Sequence, residues 1–247
     1  MRREETPSGP AIPDDIDARE LDSAVRAELN ALARPVAEKV ALHLIMAGRL
    51  LDEDPAEAYA HAQAARQLAA RIAAVREATG LAAYRVGEWQ TAIAELRTYH
   101  RLSGTQTHLA VIADSERALG RPERAIDIYR MTDRSKLGPD AATELLIVAA
   151  GARGDLGQRP AAVAMLQVPE LGSTLTEPWV ARLRYAYADA LLTIGRRAEA
   201  REWFARAAMA DEDVTTDAAE RLLDLDGVLL EESEDGEDED VAGDADE

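Results

Sequence analysis

The 247-residue chain contains no cysteine, which excludes disulfides, thiolate catalysis and Cys-based zinc or iron–sulfur sites. Aromatic residues make up only 4% of it, and Phe204 is the single Phe. The longest uncharged runs, such as LLIVAAGA from Leu145, are far shorter than the roughly 20 residues that span a bilayer. The amino terminus, MRREETPSGPAIPDD, is charged and contains proline where a signal peptide has an apolar core. We therefore expect a cytoplasmic protein without membrane segments.

The chain has a large excess of negative charge, and more than half of it lies in one segment. The formal net charge is −19, yet the segment 231–247 alone holds 11 Asp and Glu and no Lys or Arg. Such a block of like charge cannot bury apolar surface, so we expect disorder there. The segment is either a solubilising tail or a region that docks on or shields a basic partner. An acidic chain is also a poor binder of phosphate backbones, which argues against direct nucleic-acid binding.

An alanine recurs along the chain within a constant local pattern, five residues after a turn residue and four before a large apolar residue. The pattern is clearest in ATGLAAYRVGEWQTAIAELRTYH and YADALLTIGRRAEAREWFARAA. The alanines are Ala58, Ala92, Ala125, Ala162 and Ala200, at spacings of 34, 33, 37 and 38 residues. This period is typical of helix-turn-helix repeats, in which each hairpin buries its apolar faces against its neighbours. We therefore predict an all-α fold, a solenoid of about five repeats.

Further helices are predicted to cap the repeats. Asp14 and Asp15 are suitable N-caps for a helix that runs to about Ala33, and Pro35 suits the first turn of the next helix. We divide the chain into a flexible leader (1–13), an N-terminal capping helix (14–35), the repeat array (36–214), a C-terminal capping helix (215–230) and the disordered acidic tail (231–247).

Glycines mark most of the predicted turns between paired helices. They are Gly87, Gly120, Gly157 and Gly195, whereas repeat one has Glu53 at this position. In repeat two, Gly80 is predicted to let the two helices cross closely, with Ala92 facing it. In repeat four, the prolines of QVPELGSTLTEP (167–178) predict a short second helix.

The segment 39–214, about 70% of the chain, resembles the tetratricopeptide repeat family in its periodic alanines and its turn glycines. Repeats two (73–105) and five (181–214) match well, repeat three is fair, and repeats one and four are degenerate. The resemblance implies antiparallel helix pairs stacked into a right-handed superhelix, with the first helix of each pair lining the concave face.

No residue pattern indicates an enzyme, a cofactor or a metal site. The histidines, His43, His61, His100 and His108, lack an H-E-x-x-H spacing, so we expect polar or interface roles for them. The run GARGDLG, from Gly151 to Gly157, lacks the Lys-Ser/Thr of a phosphate loop, and no strand is predicted before it.

The resemblance also indicates which residues face a ligand. In this family the ligand-facing positions recur at fixed offsets before the second-helix alanine, and here they fall on His43, Glu77, Leu81, Tyr84, Arg85, Asp114, Arg117, Arg182, Tyr185 and Asp189. We expect Tyr84, Arg85 and Arg117 to project toward one cavity and to contribute little to folding. The Lys and Asn clamp of chaperone-binding members is absent, since the chain has one Asn and only two Lys.

These observations predict a non-catalytic scaffold that binds a protein or peptide segment in the concave groove. Apolar contacts are expected around Leu81, Tyr84 and Tyr185. The alternative is a regulatory or auxiliary subunit whose acidic tail engages or shields a basic partner, for example a nucleic-acid-binding protein. An enzyme built on a helical array is a third hypothesis.

Overall fold

The computed structural model describes residues 9–227, and this part of the chain is all-helical, without strands. The predicted acidic tail and residues 1–8 of the predicted leader lie outside the described residues. The α-helices are α1 (Ser23–Leu29), α2 (Arg34–Arg49), α3 (Pro55–Ala69), α4 (Ala73–Arg85), α5 (Trp89–Ser103), α6 (Leu109–Ala118), α7 (Pro122–Met131), α8 (Pro139–Asp155), α9 (Arg159–Leu166), α10 (Pro178–Thr193), α11 (Arg197–Ala208) and α12 (Ala218–Asp226). Short 3₁₀ helices occupy Ala18–Glu20, Arg134–Lys136 and Pro169–Gly172.

The predicted single helix over residues 14–33 is in fact two short helices. Asp17 and Glu20 form a capping box on the 3₁₀ helix, and Asp22 then caps α1 by accepting from the N–H groups of Ala24 and Val25. Two successive cap residues therefore start two helices where the apolar spacing predicted one. Helix α2 begins at Arg34, so Pro35 does lie in its first turn. Ile12 and Ile16 pack on the buried residues Ile45 and Met46 of α2.

The remaining helices pack in chain order as five hairpins, α2–α3, α4–α5, α6–α7, α8–α9 and α10–α11, followed by α12. We call the first helix of each hairpin an A helix and the second a B helix. The A helices also contact one another in sequence, α2 with α4, α4 with α6, α6 with α8, and α8 with α10. The five periodic alanines all lie on B helices and are at most 5% exposed, which explains why the period could be detected at them.

The predicted turn glycines close the A helices of hairpins two to five. Gly87 has φ +79°, and the same left-handed conformation recurs at the other three predicted positions. The N–H of Glu88 bonds to the carbonyl of Ala83, five residues back, which is the closing bond of a Schellman motif. A left-handed residue is required at this place in the motif, so glycine is favoured there. As predicted, α9 is short, and it ends at Leu166 ahead of Pro169.

Gly80 marks the close approach of α4 and α5, and the atoms nearest to it belong to Leu96 rather than to the predicted Ala92. A Cβ added to Gly80 would lie 2.6 Å from Cγ of Leu96 and 3.2 Å from its backbone nitrogen. Leu96 lies one helical turn after Ala92, and both are fully buried. The contact is therefore with Leu96, because its side chain lies in the space that a β-carbon would need.

Two glutamates are buried within the array, each among arginines. Glu95 on α5 pairs with Arg66 on α3 and Arg76 on α4. Glu116 on α6, only 1% exposed, pairs with Arg97 on α5 and with two arginines of hairpin three, Arg121 and Arg124. Both carboxylates therefore join helices of successive hairpins.

Of the helices in residues 9–227, none combines the length and the apolar character needed to cross a membrane.

Candidate functional site

Polar side chains on or next to the A helices join each hairpin to the next one, and the last hairpin to α12. Arg85 on α4 pairs with Asp52 after α2, Tyr84 on α4 bonds to Asp114 on α6, Arg117 on α6 pairs with Asp155 on α8, Arg182 on α10 pairs with Glu144 on α8, and Asp189 on α10 pairs with Arg221 on α12. We call this row the A-helix ladder. Its pairs are 30 to 38 residues apart in sequence, about one repeat. Side chains predicted to face a ligand therefore also hold neighbouring hairpins together.

The centre of the ladder is a continuous network. The Tyr84 hydroxyl donates to Asp114 Oδ2 over 2.7 Å, and the other oxygen of Asp114 accepts from Arg117 over 2.9 Å. Arg117 also donates from Nε and Nη2 to the two oxygens of Asp155, over 2.8 and 3.2 Å. Burial, followed by the bond to Asp114, raises the pKa of the Tyr84 phenol above its usual range. Tyr84 is thus a neutral donor that links α4 to α6.

An open groove of about 630 Å³ lies beside the C-terminal half of the ladder. Helices α6, α8, α9 and α10 and the loop before α12 line it, and we call it the α8–α10 groove. Its apolar lining consists of Ile147, Ala150, Gly151, Gly154, Ala162, Leu166, Ala186 and Ala190. Small residues on α8 and α10 leave this space open. The volume falls within the range of ligand pockets, about 300–1,000 Å³.

The edge of the α8–α10 groove is polar. Its charged residues are Arg117, Glu144, Asp155, Arg182, Asp189 and Asp217, and Tyr185, Thr193, Thr215 and Thr216 add hydroxyl groups. Burial, followed by a hydrogen bond to Asp217, raises the pKa of Tyr185 to about 12. The ring of Tyr185 packs edge-on against Phe204, with 5.3 Å between centroids. Tyr185 therefore presents a fixed neutral hydroxyl to the groove.

The loop before α12 is the part of the groove edge that lies outside the A helices. Both oxygens of the Asp211 carboxylate accept hydrogen bonds from Thr215 and Thr216, through their backbone N–H groups and their hydroxyls, over 2.6 to 2.8 Å. The exposed Val214 has φ +50°, a conformation that is rare for a β-branched residue. The bonds from Asp211 hold this turn in place.

The structure brings four of the ten predicted ligand-facing residues together in the α8–α10 groove: Arg117, Arg182, Tyr185 and Asp189. Tyr84 and Asp114 join them through the network described above, while Arg85 points the other way, to Asp52. The expectation that Tyr84, Arg85 and Arg117 face one cavity is therefore wrong, since only Arg117 of the three lines the α8–α10 groove.

Glu77 and Leu81 line a second, smaller cavity of about 210 Å³ at the other end of the array. Leu21 and Val25, from the segment before α2, form part of its wall. Glu77 also bonds to Nε2 of His108, the residue immediately before α6. The segment before α2 thus lies over the first A helices and occupies part of the space in which a ligand was expected.

The prediction that His43 faces a ligand is wrong. Its side chain is 1% exposed, and its Nδ1 lies 2.9 Å from Nδ1 of the fully buried His61 on α3. Both Nε2 atoms are buried without a hydrogen-bond partner. Burial, then the proximity of His61 and Lys39, lowers the pKa of His43 to about 4. In residues 9–227, no three His, Asp or Glu side chains are placed so that they could hold a metal ion.

Sequence reasoning missed Glu144, Asp155 and Asp217, and also the three threonines of the groove edge, Thr193, Thr215 and Thr216. The first two lie on α8, the A helix of the degenerate fourth repeat, onto which no ligand-facing offsets were carried. Glu144 lies 38 residues before Arg182, and Asp155 lies 38 residues after Arg117. An acidic residue about one repeat away from a predicted arginine could have indicated these pairs. The loop before α12 belongs to no repeat, so an argument from the period could not find it.

A search of protein-family models and of curated protein sequences finds no match to this chain.

Proposed function

We propose that the protein is a non-catalytic scaffold that binds a segment of another protein in the α8–α10 groove. We further propose that the hairpins form a right-handed solenoid of the tetratricopeptide type, with the A helices on the concave side. The observation that carries the proposal is the open groove, whose apolar floor and polar edge suit an extended or helical peptide. The recurrence of a buried alanine on each B helix and the packing of the helices in chain order support the solenoid.

The arrangement of charges at the groove edge suits binding. Arg117 and Arg182 are held by carboxylates of α8, so their side chains are fixed before a ligand arrives. Fixed side chains lose less conformational entropy on binding than free ones do, which favours affinity. The tyrosine and arginines of the edge also belong to the residue types most often found at binding hot spots.

Peptide selection with a blocked-groove variant tests the proposal. A random 12-residue display library is selected against the purified full-length protein, and enriched peptides are measured by fluorescence anisotropy. Gly154 lines the groove, and a Cβ added to it meets no atom within 4 Å. Gly154→Trp therefore places an indole in the groove without a steric clash at its β-carbon. We expect enriched peptides to bind this variant at least tenfold more weakly.

The matched control is Gly172→Trp. Gly172 is exposed, also has open space around its Cβ position, and does not line the groove. We expect this variant to bind the selected peptides as the unmodified protein does. Selection without enrichment, or enriched peptides that bind Gly154→Trp unchanged, would contradict the proposal. Circular dichroism melting of both variants confirms that they are folded.

A further inference from the structure

We infer that the α8–α10 groove takes a cationic segment, one in which arginines or lysines alternate with apolar side chains. The inference rests on the proposed function and gives the chemical class of the partner. It follows from the sign of the charge at the groove edge, the state of the arginines there and the apolar floor beneath them.

The groove has a net negative edge. Two arginines, Arg117 and Arg182, line it together with four carboxylates, those of Glu144, Asp155, Asp189 and Asp217, which gives a formal charge of −2. An excess of one sign of charge at a cleft raises the local concentration of ligands of the opposite sign.

The two arginines are already neutralised by protein carboxylates. Arg117 is held between Asp155 and Asp114, and Arg182 is paired with Glu144. An acidic ligand would have to break these pairs or approach the carboxylates beside them. A cationic ligand leaves the pairs intact.

The carboxylates keep the capacity to accept further bonds. The side chains of Asp189, Asp155 and Glu144 are 50%, 41% and 34% exposed, respectively. An ionised carboxylate offers about four lone-pair sites, and the internal pairs occupy only one or two of them. A guanidinium from a ligand can therefore bind these carboxylates through charge-assisted hydrogen bonds.

The groove is unsuited to the protein's own acidic segment. Residues 231–247 carry 11 carboxylates and no basic residue, and so have the same sign as the groove edge. A cationic segment would be attracted both by the groove edge and by residues 231–247. The apolar floor, which includes Ile147 and Leu166, additionally requires apolar side chains in the ligand, so a purely charged polymer does not satisfy the groove.

Three synthetic 12-residue peptides with fluorescent labels serve as probes. They share the same leucine and alanine positions, and their four remaining positions are all Arg, all Gln or all Glu. With the full-length protein in 50 mM salt, we expect the Arg peptide to bind at least tenfold more tightly than the Gln peptide and the Glu peptide to be the weakest. Gly154→Trp should weaken the Arg peptide at least tenfold.

Neutralising the groove tests the source of the attraction. Glu144→Gln with Asp189→Asn raises the formal charge of the edge from −2 to zero. We expect this variant to bind the Arg peptide at least tenfold more weakly. The control is Asp127→Asn with Glu199→Gln, which removes the same charge from two carboxylates that pair with arginines of their own hairpins, Arg130 and Arg196, outside the groove. We expect the control to bind as the unmodified protein does.

The remaining outcomes separate this inference from the proposed function. If the Gln or Glu peptide binds as tightly as the Arg peptide and Gly154→Trp abolishes the binding, the groove is a binding site and the inference about charge is wrong. If the Arg peptide binds Gly154→Trp unchanged but does not bind a variant that ends at Gly227, the acidic tail binds the cationic peptide and the inference is wrong. If none of the three binds while display-selected peptides do, the inference fails and the proposed function stands.

Discussion

The hydroxyl of Tyr84 on α4 donates a 2.7 Å hydrogen bond to Asp114 on α6, across the junction between the second and third hairpins. Asp114 also accepts from Arg117, which reaches Asp155 at the end of α8. Three successive A helices are therefore connected by one chain of charge-assisted bonds. In an array whose hairpins contact mainly their neighbours, such junctions decide how cooperatively the whole chain unfolds.

Removing the hydroxyl of Tyr84 should weaken this junction. We expect Tyr84→Phe to lower the free energy of unfolding by about 1 kcal/mol, less than the roughly 1.5–3 kcal/mol of a bond to a charged group, because water can reach Asp114 in the variant. Urea unfolding followed by circular dichroism measures the change. The same experiment on Asp114→Asn and on the double variant gives the coupling energy, and we expect the double variant to lose about 1 kcal/mol less than the sum of the two single variants. Coupling indistinguishable from zero would show that the bond does not join the hairpins.

The ladder shows which features of the fold could be predicted from the sequence. The B-helix alanines and the turn glycines are dictated by local geometry, so their spacing predicted the hairpins. The partner of an A-helix side chain depends on how two hairpins pack, and no local pattern contains that information. Tyr84 and Arg117 were therefore expected to contribute little to folding, whereas both bond to the neighbouring hairpin.

The position of the segment before α2, which lies over the first A helices, could not be predicted for a related reason. The segment before α2 has apolar residues at helical spacing, and these predicted a helix but gave no position for it. In the structure Leu21 and Val25 line the small cavity beside Leu81. The burial of His43 likewise depends on its contact with His61 in the next helix. Each of these outcomes is set by tertiary packing.

Gly80 provides a test of how closely α4 and α5 pack. A methyl group at this position would lie 2.6 Å from Leu96 Cγ, a contact that requires the Leu96 side chain or the helices to shift. We expect Gly80→Ala to destabilise the protein by about 1–3 kcal/mol, the range for overpacked cores, despite the better helix propensity of alanine. Denaturant unfolding measures this change.

Gly48 near the end of α2 is the matched control, since it is also helical but has no atom within 4 Å of its Cβ position. We expect Gly48→Ala to be neutral or to stabilise the protein by up to about 1 kcal/mol. Equal effects of the two substitutions would mean that Gly80 does not mark a close helix crossing.

The two arginines around Glu95 should differ in importance. The side chain of Arg76 is 18% exposed and that of Arg66 is 46% exposed, while Glu95 itself is buried. Loss of the more buried partner leaves the Glu95 charge less well compensated, and that cost can reach about 3–5 kcal/mol for a fully buried pair. We expect Arg76→Met to destabilise the protein by about 2 kcal/mol, and Arg66→Met by less than about 1 kcal/mol, in thermal unfolding. The opposite order would show that Arg66 is the main partner of Glu95.

The buried histidine pair should make stability depend on pH. Protonation of both rings would place two Nδ1–H groups against each other at 2.9 Å, so the folded pair resists taking up protons. Burial, assisted by His61 and Lys39, lowers the pKa of His43 from 6.5 to about 4, and burial also lowers that of His61, against the opposing effect of Glu57. The unfolded chain therefore binds more protons between about pH 6.5 and pH 4.

The contribution of the neutral histidine pair to the free energy of unfolding should therefore be fully present above pH 7 and should decline as the pH falls from about 6.5 to about 4. For His43 the loss amounts to about 2 kcal/mol at pH 5. We expect the difference in unfolding free energy between pH 7 and pH 5 to shrink by about this amount in the double variant His43→Leu with His61→Leu. The variant His100→Leu gives the separate contribution of a half-buried histidine whose pKa burial also lowers. NMR titration of the histidine Cε1 protons in the unmodified protein gives an independent check. A His43 resonance that titrates near pH 6.5 would contradict the burial of the pair.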